Sequence, residues 1–196
     1  MIIATAPTMR KLYKAGITPD YVVISETSAK CKKFHDGAEG ADCPLVFSST
    51  ASVPFVADHK GPRYIPCPEG FEPAEKLAKG NGWPILNSYG SVALTALALA
   101  IYKKFHEIIF IGQDLCYKDN LLHAEGTSTR YIKNPSSISN AKNIFNEDVI
   151  IPNDFLLFKP QIETTIKENQ EIRFIIATEG GVHINGTTDV KLTEVL

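Results

Sequence analysis

Several short polar groups stand out because each follows an apolar run. Glu26-Thr27-Ser28 comes after Tyr21-Val22-Val23-Ile24, Ser48-Ser49-Thr50 after Leu45-Val46-Phe47, and Gln113-Asp114 after Ile108-Ile109-Phe110-Ile111. Glu179-Gly180-Gly181 follows the run that ends at Ile176. Ligands of open α/β sheets bind beyond the carboxyl ends of the strands, so chemistry is expected at these four places. Carboxylates such as Asp114 can orient a ligand hydroxyl or a catalytic histidine, and Gly180-Gly181 allow a tight turn and close backbone approach. A fifth group, Asn87-Ser88-Tyr89-Gly90-Ser91, stands at the start of a strongly apolar helix. Its free N–H groups and hydroxyls suit a phosphate or carboxylate.

His123 lies nine residues after Asp114, in a polar segment from Tyr117 to Ser139 that reads as a lid or binding loop. An imidazole titrating near neutrality can take a proton from a hydroxyl nucleophile or give one to a phosphate leaving group. Arg130 and Lys133 could meet a phosphate if that loop closes. Each residue also has a plain structural reading: a turn-holding carboxylate for Asp114, loop organisation for Glu179, helix capping for 87–91 and a surface imidazole for His123. Lys30, Lys32 and Lys33 read as a solvated face. His59 and His183 have weaker claims, and His106 reads as a turn residue.

The elements that position these groups follow from periodicity and punctuation. Ile2-Ile3-Ala4-Thr5 is a short strand ended by Pro7, which can open a helix with Met9, Leu12 and Tyr13 on one face until Gly16 stops it. With the strand Tyr21 to Ile24 this makes a βαβ unit. Leu45 to Phe47 is a third strand. The Pro/Gly-rich stretch from Ala51 to Pro73 reads as a long surface segment with a strand at 63–65. Glu72 to Lys79 is a short helix. Ser91 to Lys104 is a helix apolar nearly all round, hence buried on more than one side. Asn153 or Asp154 caps a helix carrying Phe158, Ile162 and Ile166 on one stripe. A strand at 172–176 completes an α/β pattern with a mostly parallel sheet of five or six strands.

Composition bounds the function. The 196 residues carry 20 Lys+Arg against 22 Asp+Glu, a net charge of −2, with no basic run suited to nucleic acid. Hydrophobic content of 44% excludes a disordered chain. The longest apolar stretch, Val92 to Ile101, is about half of a membrane span. No signal-peptide pattern is present, so a cytoplasmic protein with reduced cysteines is expected. The cysteines at 31, 43, 67 and 116 form no C-x-x-C pair, and no metal site is expected. G-x-G-x-x-G, Walker and G-x-S-x-G signatures are absent.

Asn87-Ser88-Tyr89-Gly90-Ser91-Val92-Ala93, Ile111-Gly112-Gln113-Asp114-Leu115 and His123-Ala124 resemble the central domain of motility accessory factors. That family also includes archaeal 6-hydroxymethyl-dihydropterin pyrophosphokinases. Gly16-Ile17-Thr18-Pro19-Asp20 resembles its G-I-x-P-D turn, and Thr178-Glu179-Gly180-Gly181 with Ile184 and Gly186 its closing segment. The resemblance implies a single Rossmann-like three-layer domain over 1–196, similar to the central domain of bacterial sialyltransferases. It implies transfer of a nonulosonic acid from a CMP-activated donor to a protein or glycan hydroxyl, flagellin among the acceptors. Asn87 and Ser91 would line the nucleotide-sugar site, with Ser88, Glu26, Ser49, Gln113, Glu179 and Gly180 as further binding candidates. Asp114 and His123 would stand near the reacting groups. The alternatives are an ATP- and Mg²⁺-dependent pterin pyrophosphokinase and a non-catalytic nucleotide-sugar-binding or partner subunit. Family members begin with a strand and a Gly-Pro-Ser-Leu loop, which Ala6-Pro7-Thr8-Met9 resembles only superficially. The spacing to Gly16 matches the family's second strand–helix unit instead. The chain is therefore expected to lack the first unit and to self-associate as a homodimer at the strand edge so exposed.

Overall fold

The computed structural model describes residues 1–87, 90–117, 138–178 and 180–195. They fall into two compact units, Met1–Lys103 and the described residues from Lys104 onward.

In the first unit, β1 (Ile3–Thr5), α1 (Ala6–Lys14) and β2 (Tyr21–Ile24) form the expected βαβ unit, with Ile3 opposite Tyr21 and Thr5 opposite Val23 in parallel register. Pro7 sets the first turn of α1, Met9 is fully buried beneath it, and Gly16 follows the helix at φ 72°. A 3₁₀ helix over Ala29–His35 leads to β3 (Leu45–Phe47), then α2 (Val53–Asp58) to β4 (Arg63–Tyr64). The strands lie in the order β1-β2-β3-β4, all parallel. Then come β5 (Cys67–Pro68), α3 (Glu72–Asn81), β6 (Ile85–Leu86), paired parallel to β5, and α4 (Val92–Tyr102).

Strand alternation sorts the core into two faces. Val22, Ile24 and Leu45 pack with Ala6, Met9, Phe34 and Phe55 beneath α1, the 3₁₀ helix and α2. Val23 and Val46 point the other way and pack with Leu86 and Leu99, joined by Ile3, Val92 and Ala96. The unit is thus a sheet between two helical layers. α4 buries Leu94, Leu97 and Leu99, each contributing roughly 1.5–3 kcal/mol on burial.

The stretch from Ala51 is no mere surface segment, because it forms α2 and buries Phe55, Ser52 and His59. Pro54 in the first turn fixes a helical φ, so this proline starts structure rather than marking its absence. The four cysteines are buried and form no disulfide, and burial pushes Cys31 up to about 11, far from a reactive thiolate.

The second unit is built on β7 (Glu107–Phe110), β8 (Ile138–Lys142), β9 (Asp148–Pro152), α5 (Asn153–Glu168), β10 (Arg173–Ile176) and β11 (Thr188–Asp189). β7, β10 and β11 form a parallel sheet in the order β11-β10-β7. β8 and β9 form an antiparallel hairpin that the sequence pattern did not reveal. Asn143 closes its turn by accepting from the Phe145 and Glu147 N–H groups, each at 2.9 Å, while Asn146 takes φ 63°. The helix cap also differs from expectation. Pro152 holds the N-cap position of α5 without a side-chain cap, and the Asn153 carboxamide oxygen accepts from the Ser139 hydroxyl at 3.1 Å. The expected stripe is present, with Ile162 and Ile166 buried. No helix among the described residues is long and apolar enough to cross a membrane.

Candidate functional site

The carboxyl edge of the first unit's sheet collects the polar turns. Beyond β2, one Glu26 carboxylate oxygen accepts from the N–H groups of Thr27 and Ser28 at 3.1 and 3.2 Å. Ser28 in turn accepts from the Lys30 N–H and caps the 3₁₀ helix. Beyond β3, the Ser48 N–H donates to the Ile24 carbonyl at 3.0 Å and the Ser52 N–H to the Glu26 carbonyl at 2.8 Å, tying the two turns together. Ser49 and Glu26 are exposed on this edge. The Ser52 hydroxyl is buried and makes no hydrogen bond among the described residues.

The direction of α4 brings its start to the same edge. Lys103, at its C-cap, places its ammonium 4.8 Å from the ring centroid of Tyr21, the first residue of β2. The helix start at Ser91 therefore points toward the end of β2 that carries Glu26. Ser91 is the N-cap and its side chain makes no capping bond, and no acidic residue occupies the first turn. The first N–H groups of a helix have no intrahelical partner and carry positive partial charge. Gly90, at φ 74°, turns the chain into it, and Asn87 lies just after β6. Glu26, Ser49, Asn87 and Ser91 thus belong to one end of one unit.

The second unit has its own carboxyl edge. The Ala177 N–H donates to the Phe110 carbonyl at 2.9 Å, and Val182 N–H to the Asp114 carbonyl at 2.8 Å, so the turns after β7 and β10 run together. Gly181 lies on the Asp114 backbone: an added Cβ would come 2.6 Å from the Asp114 Cα. Gln113, Asp114 and Gly180 share this edge. Gly181→Ala is expected to lower stability by about 1–3 kcal/mol through displacement of the Asp114 turn, read as a lower urea midpoint. An unchanged midpoint would show that this backbone contact is not rigid. Ser88, His123 and Glu179, with Arg130 and Lys133, lie outside the described residues.

The sequence reading passed over two histidine constellations. His183 Nδ1 stands 2.9 Å from Asp189 Oδ2, where Asp189 is in register with Ile176 at the end of β10. His35 and His59 form a buried pair, with Nε2 of the first 3.3 Å from Nδ1 of the second. No spacing rule joins residues 24 positions apart. No group of three or more metal-ligating side chains occurs among the described residues.

A parallel three-layer unit with polar turns on its carboxyl edge and an open helix start defines a Rossmann-like class of protein. The chain belongs to the MptE-like family, described as 6-hydroxymethylpterin diphosphokinase MptE-like, whose family model matches residues 1–120. No curated protein matches the chain. Among solved structures it is similar to the MAf glycosyltransferase of Magnetospirillum magneticum AMB-1, at 17% sequence identity and a TM-score of 0.78. The match covers 100% of this chain and 30% of that one, so this chain spans under a third of its neighbour's length. At that identity the likeness establishes the fold, a mixed α/β architecture with mostly parallel sheets.

Proposed function

We propose that the chain is a glycosyltransferase-like domain that binds a CMP-activated nonulosonic acid and serves its transfer to a protein or glycan hydroxyl. The observation that carries this reading is the start of α4. The Ser91 side chain makes no capping bond there, no acidic residue stands in its first turn, and it faces the edge that bears Glu26 and Ser49. The fold of the MAf glycosyltransferase supports it. In the transfer, the acceptor hydroxyl attacks the anomeric carbon in line while the bond from that carbon to the CMP phosphate oxygen breaks. N–H groups at the helix start stabilise the departing phosphate, and His123 takes the hydroxyl proton with Asp114 as its partner group. Asn87, Ser88, Gln113, Glu179 and Gly180 are the remaining binding candidates, and flagellin is the candidate protein acceptor.

The family description favours a second reading, ATP-dependent pyrophosphorylation of a pterin alcohol. Mg²⁺ would there arrive with ATP, since such an ion needs only one or two carboxylates, for which Asp114 and Glu26 are candidates.

Ser91→Asp separates binding from folding. Aspartate is a good N-cap and suits the helix dipole, so stability is expected to hold or rise. Its charge occupies the place assigned to the phosphate, and CMP affinity is expected to fall on the order of tenfold or more by calorimetry. Unchanged affinity would remove the α4 start from the site.

A further inference from the structure

The first unit holds two buried imidazoles that the proposed function does not use. His35 ends the 3₁₀ helix, and its ring lies flat on Phe55 of α2 with centroids 4.1 Å apart. His59 is the C-cap residue of α2. Both are at least nine-tenths buried.

Their protons can be placed from the acceptors. His59 Nε2 lies 2.7 Å from the Cys43 carbonyl oxygen, which can only accept, so Nε2 carries the proton and donates. A neutral His59 then has a bare Nδ1, and His35 Nε2 donates to it across 3.3 Å. A neutral His35 is left with a bare Nδ1, which is buried and makes no hydrogen bond among the described residues. The chain of donors is complete with both rings neutral and has no place for another proton. A proton added at His59 Nδ1 would set two N–H groups head to head. One added at His35 Nδ1 would create a buried cationic donor with no acceptor.

We propose that the His35–His59 pair is an acid-sensitive latch between the 3₁₀ helix and α2, closed while both rings are neutral and opened by a further proton. What it releases is the outer ends of the two turns at the carboxyl edge. The 3₁₀ helix follows the Glu26 turn and α2 follows the Ser48-Ser49-Thr50 turn, and the Ser52 N–H to Glu26 carbonyl bond joins the two. The device does not depend on which ligand that edge binds.

The charges around the pair oppose one another. Asp58, Asp36 and Glu39 favour a charged His35, but Asp58 is already bound to Lys32 at 2.9 Å. From α1, Arg10 and Lys14 approach at Gly37 and bring positive charge. At His59, Asp42 favours and Arg63 disfavours the charged form. Tyr13 of α1 and the Cys43 thiol face the same region as neutral groups, burial pushing Tyr13 up to about 12 and the thiol upward as well. Burial outweighs the carboxylates, and both histidines are held below the ordinary value of 6.5, His59's charge adding to the effect at His35. A histidine lowered on folding contributes stability fully above 6.5. That contribution is lost as pH falls from there toward the lowered native value.

Hydrogen–deuterium exchange of the full chain tests the latch, with rates corrected for the intrinsic effect of pH. On going from pH 7.5 to 5.5, protection in 29–38 and 53–59 is expected to fall on the order of tenfold while α4 keeps its protection. His35→Gln keeps a donor toward His59 Nδ1 without a group that can charge, and is expected to shrink the loss. Unchanged protection of these segments in the parent chain would overturn the proposal, as would loss in step with α4, whatever the variant does.

Discussion

Leu97→Asp is expected to unfold the first unit. Leu97 is 3% exposed on α4, on the side of the helix turned away from Leu99, Val92 and Ala96, the residues that meet the sheet face built from Val23 and Val46. The substitution removes the leucine's burial, about 2–3 kcal/mol, and puts a carboxylate into a buried position, at a further cost of several kcal/mol. Domains of this size are stable by about 5–15 kcal/mol, so the sum takes most of the margin. Far-UV circular dichroism at 25 °C should show lost helix and no cooperative urea transition for this unit. A midpoint close to that of the parent chain would show that Leu97 is not buried as described.

Gly61→Ala is expected to be the most damaging single-methyl change. A Cβ there would lie 2.2 Å from the Asp42 carbonyl oxygen and 2.3 Å from that of Cys43, both backbone atoms. Neither can swing aside as a side chain would. The Cys43 carbonyl is committed to His59, and the neighbouring Leu45 N–H donates to Pro62 at 2.8 Å, the start of the β3–β4 pairing. Displacement therefore disturbs both the strand pair and the histidine pair, and a loss of about 2–4 kcal/mol is expected. Gly40→Ala is the matched control, because nothing lies within 4 Å of its added Cβ. Similar urea midpoints for the two variants would contradict the tight approach at Gly61.

The fold was legible where one physical signal dominated. The continuous apolar run at Tyr21–Ile24 could only be a buried strand, and the helix Val92–Tyr102 was evident from apolar residues on all sides. The hairpin β8–β9 was hidden because Ile138-Ser139-Asn140-Ala141-Lys142 offers few β-branched residues and its turn depends on the Asn143 side chain. α2 was hidden within a Pro/Gly-rich stretch read as a surface segment, where Pro54 sets the first turn. Glu26, Ser49, Gln113, Asp114, Glu179 and Gly180 were found from strand ends, by a rule that needs only the sheet direction, whereas Asn87, Ser88 and Ser91 came from a helix start and His123 from a polar loop. The structure places Glu26, Ser49 and Ser91 on that edge of the first unit and Gln113, Asp114 and Gly180 on that of the second. The histidine pair could not be read in the same way. His35 and His59 meet only because Phe55 lies flat beneath the first ring and Cys43 accepts from the second, and both contacts are tertiary.

Calorimetric titration of the full chain with CMP, and separately with ATP in the presence and absence of Mg²⁺, tests the central claim most directly. The donor-binding reading predicts that CMP binds without Mg²⁺ and more tightly than ATP under either condition. Binding of ATP only with Mg²⁺, with none of CMP, would contradict it and favour the pyrophosphokinase reading.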